Sequence, residues 1–296
     1  MRKLHNSRLG DKTFDLGIYL IGGIIALICL YPLYLVLINS FSDPFAVARG
    51  EVFLVPKGFS FDAYIQAFKN GDIMRGYANS LFYLICGVII NMVLTIPAAY
   101  ALSKQHMKGR NFIMMMIVFT MYFSGGLIPH YLMVRDMGLI NTRAIVLLEG
   151  AVVTTNLIIA RTFFSSSVPK ELEEAAEIDG CNGIQVFFKI VLPLSKAMLG
   201  VILLYYAVGR WNNYTSSLYY QPRADELHSL QMVIKKMVLQ MQAAANAESE
   251  MAEYYANLFN QIKYSVIVIA SLPLLILYPF LQKYFEKGVM IGSVKG

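Results

Sequence analysis

The side chains able to do chemistry in this 296-residue chain are few and scattered. His5, His106, His130 and His228 stand alone, without the His-Glu-x-x-His or related spacing that gathers ligands around a metal. Cys29 and Cys86 lie inside apolar blocks and Cys181 in a polar loop, which gives neither a disulfide framework nor a Cys-x-x-Cys site. Gly10-Asp-Lys-Thr ends like a phosphate-binding loop but lacks the upstream glycine and the strand that would present it. The apolar blocks hold no defensible pair of nucleophile and base. A non-catalytic chain is expected, with no metal and no cofactor of its own.

One polar stretch is organised. Ser167 to Pro193 reads SVPKELEEAAEIDGCNGIQVFFKIVLP, two short helices with a turn between them. Pro169 suits the first helical position, and Glu171, Glu173 and Glu174 favour the positive end of the helix dipole. Gly180 is a natural stop, because glycine takes the left-handed conformation without strain, and Asn182-Gly183 supports the turn. In the second helix Ile184, Phe187, Phe188 and Val191 fall at i, i+3, i+4 and i+7, which predicts one apolar face. Ala175 and Ala176 would let another protein approach the tip closely. A helix lying flat on lipid is the alternative, and the acidic first helix argues against it.

The elements that must hold this elbow are membrane spans. Hydrophobic residues make up 57% of the chain and charged ones only 15%, where a soluble domain carries about a quarter. Crossing about 30 Å of hydrocarbon takes about 20 apolar residues in a helix. Six blocks qualify: Leu16–Ile38, Asn79–Leu102, Phe112–Met133, Ala144–Ile159, Ala197–Val208 (reaching Trp211) and Tyr264–Leu281. Pro32, Pro97, Pro129, Pro273, Pro279 and Gly125-Gly126 punctuate them, as suits a bundle that moves. Basic residues at Arg2, Lys3, Arg8 and Lys12, at Lys104, Lys108 and Arg110, and at Lys283, Lys287 and Lys295 place both termini in the cytoplasm. The expected organisation is a tail over 1–15, a permeation domain over 16–285 with the elbow at 165–193 and an outer segment at 213–261, and a tail over 286–296. The net charge of +6 is thus assigned to orientation and not to nucleic acid. The spans look nearly free of ionisable residues, which disfavours an ion-coupled secondary transporter or a channel.

The elbow also carries a family resemblance. Glu174-Ala175-Ala176, then Asp179-Gly180, then Ile190-x-Leu192-Pro193 resembles the EAA loop of ABC importer permeases at every named position and gap length. Gly125-Gly-Leu-Ile-Pro-His-Tyr-Leu, Asp136-Met-Gly-Leu-Ile-Asn-Thr, Gly209-Arg-Trp-Asn and the ending from Phe285 to Gly296 are similar to the MalG-type branch. The resemblance implies an all-α integral membrane protein of the type I importer fold in a bacterial plasma membrane. It further implies a second, MalF-type permease, two ATPase subunits that bind ATP and Mg, and an extracytoplasmic solute-binding protein. Glu174, Ala175, Ala176, Asp179, Gly180, Ile190, Leu192 and Pro193 would couple this chain to an ATPase subunit, and the cargo would be an oligosaccharide or polysaccharide. A permease for a non-sugar solute is the alternative.

Sugars stack on aromatic rings and bond to neutral polar groups. Trp211, Asn212, Asn213 and Tyr214, followed by Tyr219 and Tyr220, are therefore candidate pathway residues, with Tyr122 and the buried-span amide Asn91. An interfacial aromatic belt would explain the rings equally well, and a bond to a neighbouring helix would explain Asn91. The outer segment from Asp225 to Tyr255 reads as a helix with Leu230, Val233, Ile234, Met237, Val238 and Met241 on one side.

Overall fold

A computed structural model of the chain describes residues 8–245, 262–276 and 278–279. Helices dominate it, and the described residues include no strand. They fall into two compact units: those of Met1–Asn70 with Val238–Ile269, and those of Gly71–Met237 with Ala270–Gly296.

In the first unit α1 runs from Arg8 to Ser40, so the helix already takes in half of the expected N-terminal tail. Its Phe14–Ser40 stretch is long and apolar enough to cross a bilayer. Short helices α2 (Pro44–Ala48) and α3 (Asp62–Lys69) follow. Asp43 caps α2 by accepting the Ala46 N–H at 3.1 Å. The rings of Phe41, Phe59, Phe61 and Tyr64 pack with centroids 5.1–6.4 Å apart, closing the loop between α2 and α3.

In the second unit α4 (Gly71–Ser103) is the axis. At 1.5 Å per residue its 33 residues measure about 50 Å, more than a hydrocarbon core needs. After it come α5 (Arg110–Tyr122), α6 (Leu127–Asp136), α7 (Arg143–Leu148), α8 (Thr154–Ser167), α9 (Lys170–Ile178), α10 (Gly183–Val186), a wider turn over Phe187–Val191, and α11 (Leu192–Leu194). Then α12 (Lys196–Trp211) and α13 (Thr215–Tyr220) complete the order within this unit, and α14 (Leu230–Ala245) and a C-terminal helix, α15 (Ile262–Ile276), each contribute residues to both units. α4 packs along α8 and α12. Ala99 and Ala160, both fully buried, allow the close approach, and Ile96, Leu157, Phe164, Ile202 and Tyr206 fill the space around them.

Two expected spans are interrupted. Phe112–Met133 is split into α5 and α6, which bend by 116° about residues 123–126, where Gly126 takes φ +86°. Ala144–Ile159 is split into α7 and α8 by residues 149–153, with Gly150 at φ +66°. Glycine adopts these values without strain, so continuous hydropathy concealed both corners. The outer helix starts at Leu230 and not at Asp225: Asp225–Leu227 is a tight 3₁₀ turn, and His228 is extended. The expected helix beyond Ala245 and the expected tail over 286–296 lie outside the described residues.

Candidate functional site

The elbow is built by local sequence. α9 carries Glu171 and Glu173 in its first turn and ends at Asp179. Gly180 stands at φ +85° and donates to the Glu177 carbonyl at 3.0 Å, while Cys181 donates to Ala176 at 2.9 Å. That paired closure satisfies carbonyls that would otherwise be free at the helix end. Asn182 then starts α10 through a reciprocal box with Gln185, at 2.9 and 3.0 Å. Further on, Pro193 has no N–H for the Lys189 carbonyl and would crowd it. The helix widens into a π turn over Phe187–Val191, with Leu192 donating back to Phe187. Ser195 follows, bonded to the Val191 carbonyl, and the chain bends by 83° into α12.

This geometry sorts the coupling residues. Ala176 is turned into the core with Val186, Phe187 and Val191, whereas Glu174, Ala175, Ile178, Asp179 and Gly180 are exposed. Ile190 and Leu192 are half-buried and Pro193 is exposed. The two alanines thus do different things, one anchoring and one presenting. The apolar face expected of the second helix is also divided: Ile184 and Phe188 are 71% and 61% exposed. Burial of Val186 and Val191, five residues apart, follows the π turn and not the 3.6-residue period. Behind the tip, Lys104 at the end of α4 bonds to Glu173, its ammonium 4.2 Å over the Tyr100 ring, and that ring packs on Phe187 at 4.9 Å.

The second of the interrupted spans is held from α4 and α12. Asn91 donates to the carbonyls of Gly150 and Ala151 at 2.7 and 2.8 Å. Arg210 donates through Nε to Asn91 Oδ1 at 2.9 Å, and through its two terminal nitrogens to the carbonyls of Val146 and Leu147. The Tyr206 hydroxyl accepts the Val153 N–H at 3.1 Å and bonds to Thr95. Backbone polar groups freed inside a bilayer need such partners. Between the two corners lies a cavity of about 620 Å³, lined by Ser124 to Leu127, Pro129, His130, Met133, Glu149, Thr215, Tyr219 and Tyr220.

Residues 73–291 match the family described as Binding-protein-dependent transport system inner membrane component. The chain belongs to that family. Protein LplC of Bacillus subtilis (strain 168) is 40% identical over 295 residues, 99% of this chain and 98% of LplC. The polygalacturonan/rhamnogalacturonan transport system permease protein YtcP of the same organism is 38% identical over 286 residues, 97% of this chain and 99% of YtcP. Among solved structures, a chain from a bacterial ABC transporter involved in the import of the acidic polysaccharide alginate superposes with a TM-score of 0.85. It is 35% identical and covers 96% of this chain and 100% of that one. The fold is the all-helical type I importer permease fold, and the chain is a multi-pass inner-membrane transport component, not an enzyme.

Of the pathway candidates, Tyr219 and Tyr220 line the cavity, whereas Trp211, Asn212, Asn213, Tyr214, Tyr122 and Asn91 do not. Trp211 is 1% exposed, donates its only N–H to the Ala270 carbonyl at 2.8 Å and meets Tyr77 edge-on. It is a strut between helices. Asn91, fully buried, serves the backbone of the second corner. Asn213 organises the start of α13 through Thr215 and Ser216, while Asn212, Tyr214 and Tyr122 are exposed. Sequence reading passed over Glu149 and Arg210, one inside the fourth apolar block and the other near the end of the fifth. Their ionisable character inside such blocks was the available signal.

Proposed function

We propose that this permease forms, with a second permease, an alternating-access pathway for an oligosaccharide or polysaccharide, driven by ATPase subunits on which the α9 elbow docks. The observation that carries the reading is the elbow itself. Glu174, Ala175 and Ile178 form an exposed tip whose base is fixed to α4 by Lys104–Glu173 and to the helix core through Ala176 and Phe187. A tip so anchored passes its displacement to α4 and α12 and is not absorbed by slack loop. ATP would be bound and hydrolysed by the partners, and the energy would enter as their different affinity for two permease conformations. The saccharide cargo is supported by the names of the similar proteins and by the alginate importer.

The same proposal places both termini and the elbow in the cytoplasm and residue 246 outside, by the basic clusters flanking the apolar blocks. The elbow tip then faces the compartment that holds ATP. The test is copurification of the chain with its partner permease, ATPase subunits and binding protein. A panel of saccharides is then scored for stimulation of ATP hydrolysis. Stimulation by one or more saccharides is the expected result. An assembly that responds to no saccharide but to another solute would leave a permease of different cargo, and failure to assemble with an ATPase would remove the coupling role.

A further inference from the structure

The second corner satisfies its backbone with unusual completeness. Asn91, Arg210 and Tyr206 together supply partners for Val146, Leu147, Gly150, Ala151 and Val153. Against that background one group stands out. The Glu149 Oε2 is shut off from water and, among the described residues, has no hydrogen-bond partner. Arg210 acts on the Glu149 charge through space, yet its guanidinium bonds go to Asn91 and to the two carbonyls. Buried polar groups in native proteins are paired in the great majority, so an orphaned carboxylate oxygen calls for a reason.

Glu149 lines the cavity between the two corners. At about 620 Å³ the cavity is of a size that holds small ligands, and interrupted backbone at membrane depth is found where it lines such a space. The cavity wall also includes the first turn of α6, beginning at Leu127, where helix N–H groups lack intrahelical acceptors, while the preceding Gly126 N–H is taken by Ser124 Oγ at 3.1 Å. Tyr219 offers a partly exposed ring, and Tyr220 bonds to His130 Nδ1 at 2.8 Å, which leaves a second imidazole nitrogen on the wall. Acceptor, donors and an aromatic face in one cavity are the requirements of a pyranose ring.

Resting on the carbohydrate-import reading, we infer that this cavity is a saccharide subsite on this subunit and that Glu149 sets its specificity. The sugar unit seated there presents hydroxyl or amino donors to the carboxylate and carries no carboxylate of its own. Glu149 is half-buried, and a turn of its side chain would bring the shielded Oε2 to a ligand in the cavity; a carboxylate so placed gains from a ligand that pairs it and rejects one that cannot. Two carboxylates in one low-dielectric cavity repel. The inference runs against the acidic polysaccharides named for two of the similar proteins, and this makes it decisive to test.

The experiment uses the assembled complex of both permeases and the ATPases in detergent, without binding protein. Its thermal unfolding is followed with millimolar maltotriose, the glucosamine trimer, trigalacturonate or the methyl ester of trigalacturonate. The wild type should be stabilised by at least one uncharged or amino trimer and not by trigalacturonate, whose ester should behave better than the free acid. Glu149→Gln should admit trigalacturonate, changing the acid-to-ester affinity ratio at least tenfold, and Glu149→Ala should lose the stabilisation by the preferred trimer. Equal stabilisation of the wild type by acid and ester would overturn the inference. So would stabilisation by none of the trimers, or variants indistinguishable from wild type. Uptake into proteoliposomes with binding protein separates the two levels. Saccharide import with unchanged selectivity in Glu149→Gln defeats the subsite alone, and import of no saccharide defeats the carbohydrate reading with it.

Discussion

Gly87 of α4 lies against the side chain of Arg210: a Cβ at that position would sit 2.8 Å from Nε and 2.9 Å from Cδ. The guanidinium it would displace holds Asn91 and the last carbonyls of α7. Gly87→Ala should therefore destabilise the permease. In an open helix the same change gains up to about 1 kcal/mol from propensity, so the sign alone is informative. Crowding a packed site and disturbing buried hydrogen bonds should cost about 1–3 kcal/mol. Thermal unfolding in detergent measures it, and a higher midpoint for Gly87→Ala would show that Arg210 yields without loss.

The Lys104–Glu173 pair joins the end of α4 to the base of the elbow, with side chains 20% and 17% exposed. Partial burial and the Tyr100 ring make it worth more than a surface ion pair. A double-mutant cycle with Lys104→Ala and Glu173→Ala should give a coupling energy of about 1 kcal/mol or more. Lys104→Ala should also weaken the stimulation of ATP hydrolysis by the loaded binding protein, because the lever loses its anchor. The charge-swapped double variant Lys104→Glu, Glu173→Lys should recover part of that stimulation. Independent, additive effects in both assays would reduce the pair to a surface contact.

Much of the elbow was legible because its signals are local. Gly180, Asn182-Gly183 and the acidic first turn each act within a few residues, and the structure uses them at those positions. What escaped depends on tertiary partners. Nothing near Ala175 and Ala176 says which one faces inward; that is set by the Val186–Phe187 layer across the turn. The widened turn over Phe187–Val191 comes from Pro193, yet an apolar run with 3.6-residue spacing conceals it. The corners at residues 123–126 and 149–153 sit inside blocks whose average hydropathy hardly changes. The second persists because Asn91, Arg210 and Tyr206, from helices distant in sequence, satisfy its backbone. Trp211 was read as a pathway residue on its type, but its burial against Tyr77 and Ala270 could be learned only from the fold.

At the expected outer face Asp225 accepts a hydrogen bond from Lys236 and lies 3.5 Å from His228 Nδ1. The Lys236 hydrogen bond, with the charges of Lys236 and His228 beside it, holds the Asp225 carboxyl below its ordinary value of 3.8. An acid whose folded pKa is depressed stabilises the fold above its unfolded value, and that stability is lost as pH falls through the folded one. The junction between the 3₁₀ turn and α14 should thus hold at pH 5 and above and loosen below the ordinary carboxylate range. Protection of the Leu230–Val233 amides, meaning exchange relative to an unstructured chain at the same pH, should fall on acidification in the wild type. Asp225→Asn should be less protected at neutral pH and show little further change with acid. An identical acid response in the variant would assign the transition to other carboxylates.

Gly180→Trp and Glu174→Arg should abolish transport while the membrane helices still fold. At Gly180 the backbone is left-handed at φ +85°, and a Cβ there would meet nothing within 4 Å. Any loss is therefore conformational and not a clash, about 1–2 kcal/mol for holding an L-residue in that state. The turn can relieve it only by unwinding, which breaks the Gly180–Glu177 and Cys181–Ala176 closure and moves the tip. Gly180→Ala should share the backbone cost, and Gly180→Asn, better tolerated in this conformation, should retain more activity. Glu174 is exposed on the tip, so reversing its charge leaves the core untouched and acts on the docking partner alone. The expected phenotype is normal membrane level and normal pairing with the second permease, with ATPase association lost or its stimulation by loaded binding protein abolished. Reconstitution in proteoliposomes decides the matter. Wild-type transport rates in both Gly180→Trp and Glu174→Arg would mean that coupling runs through another surface.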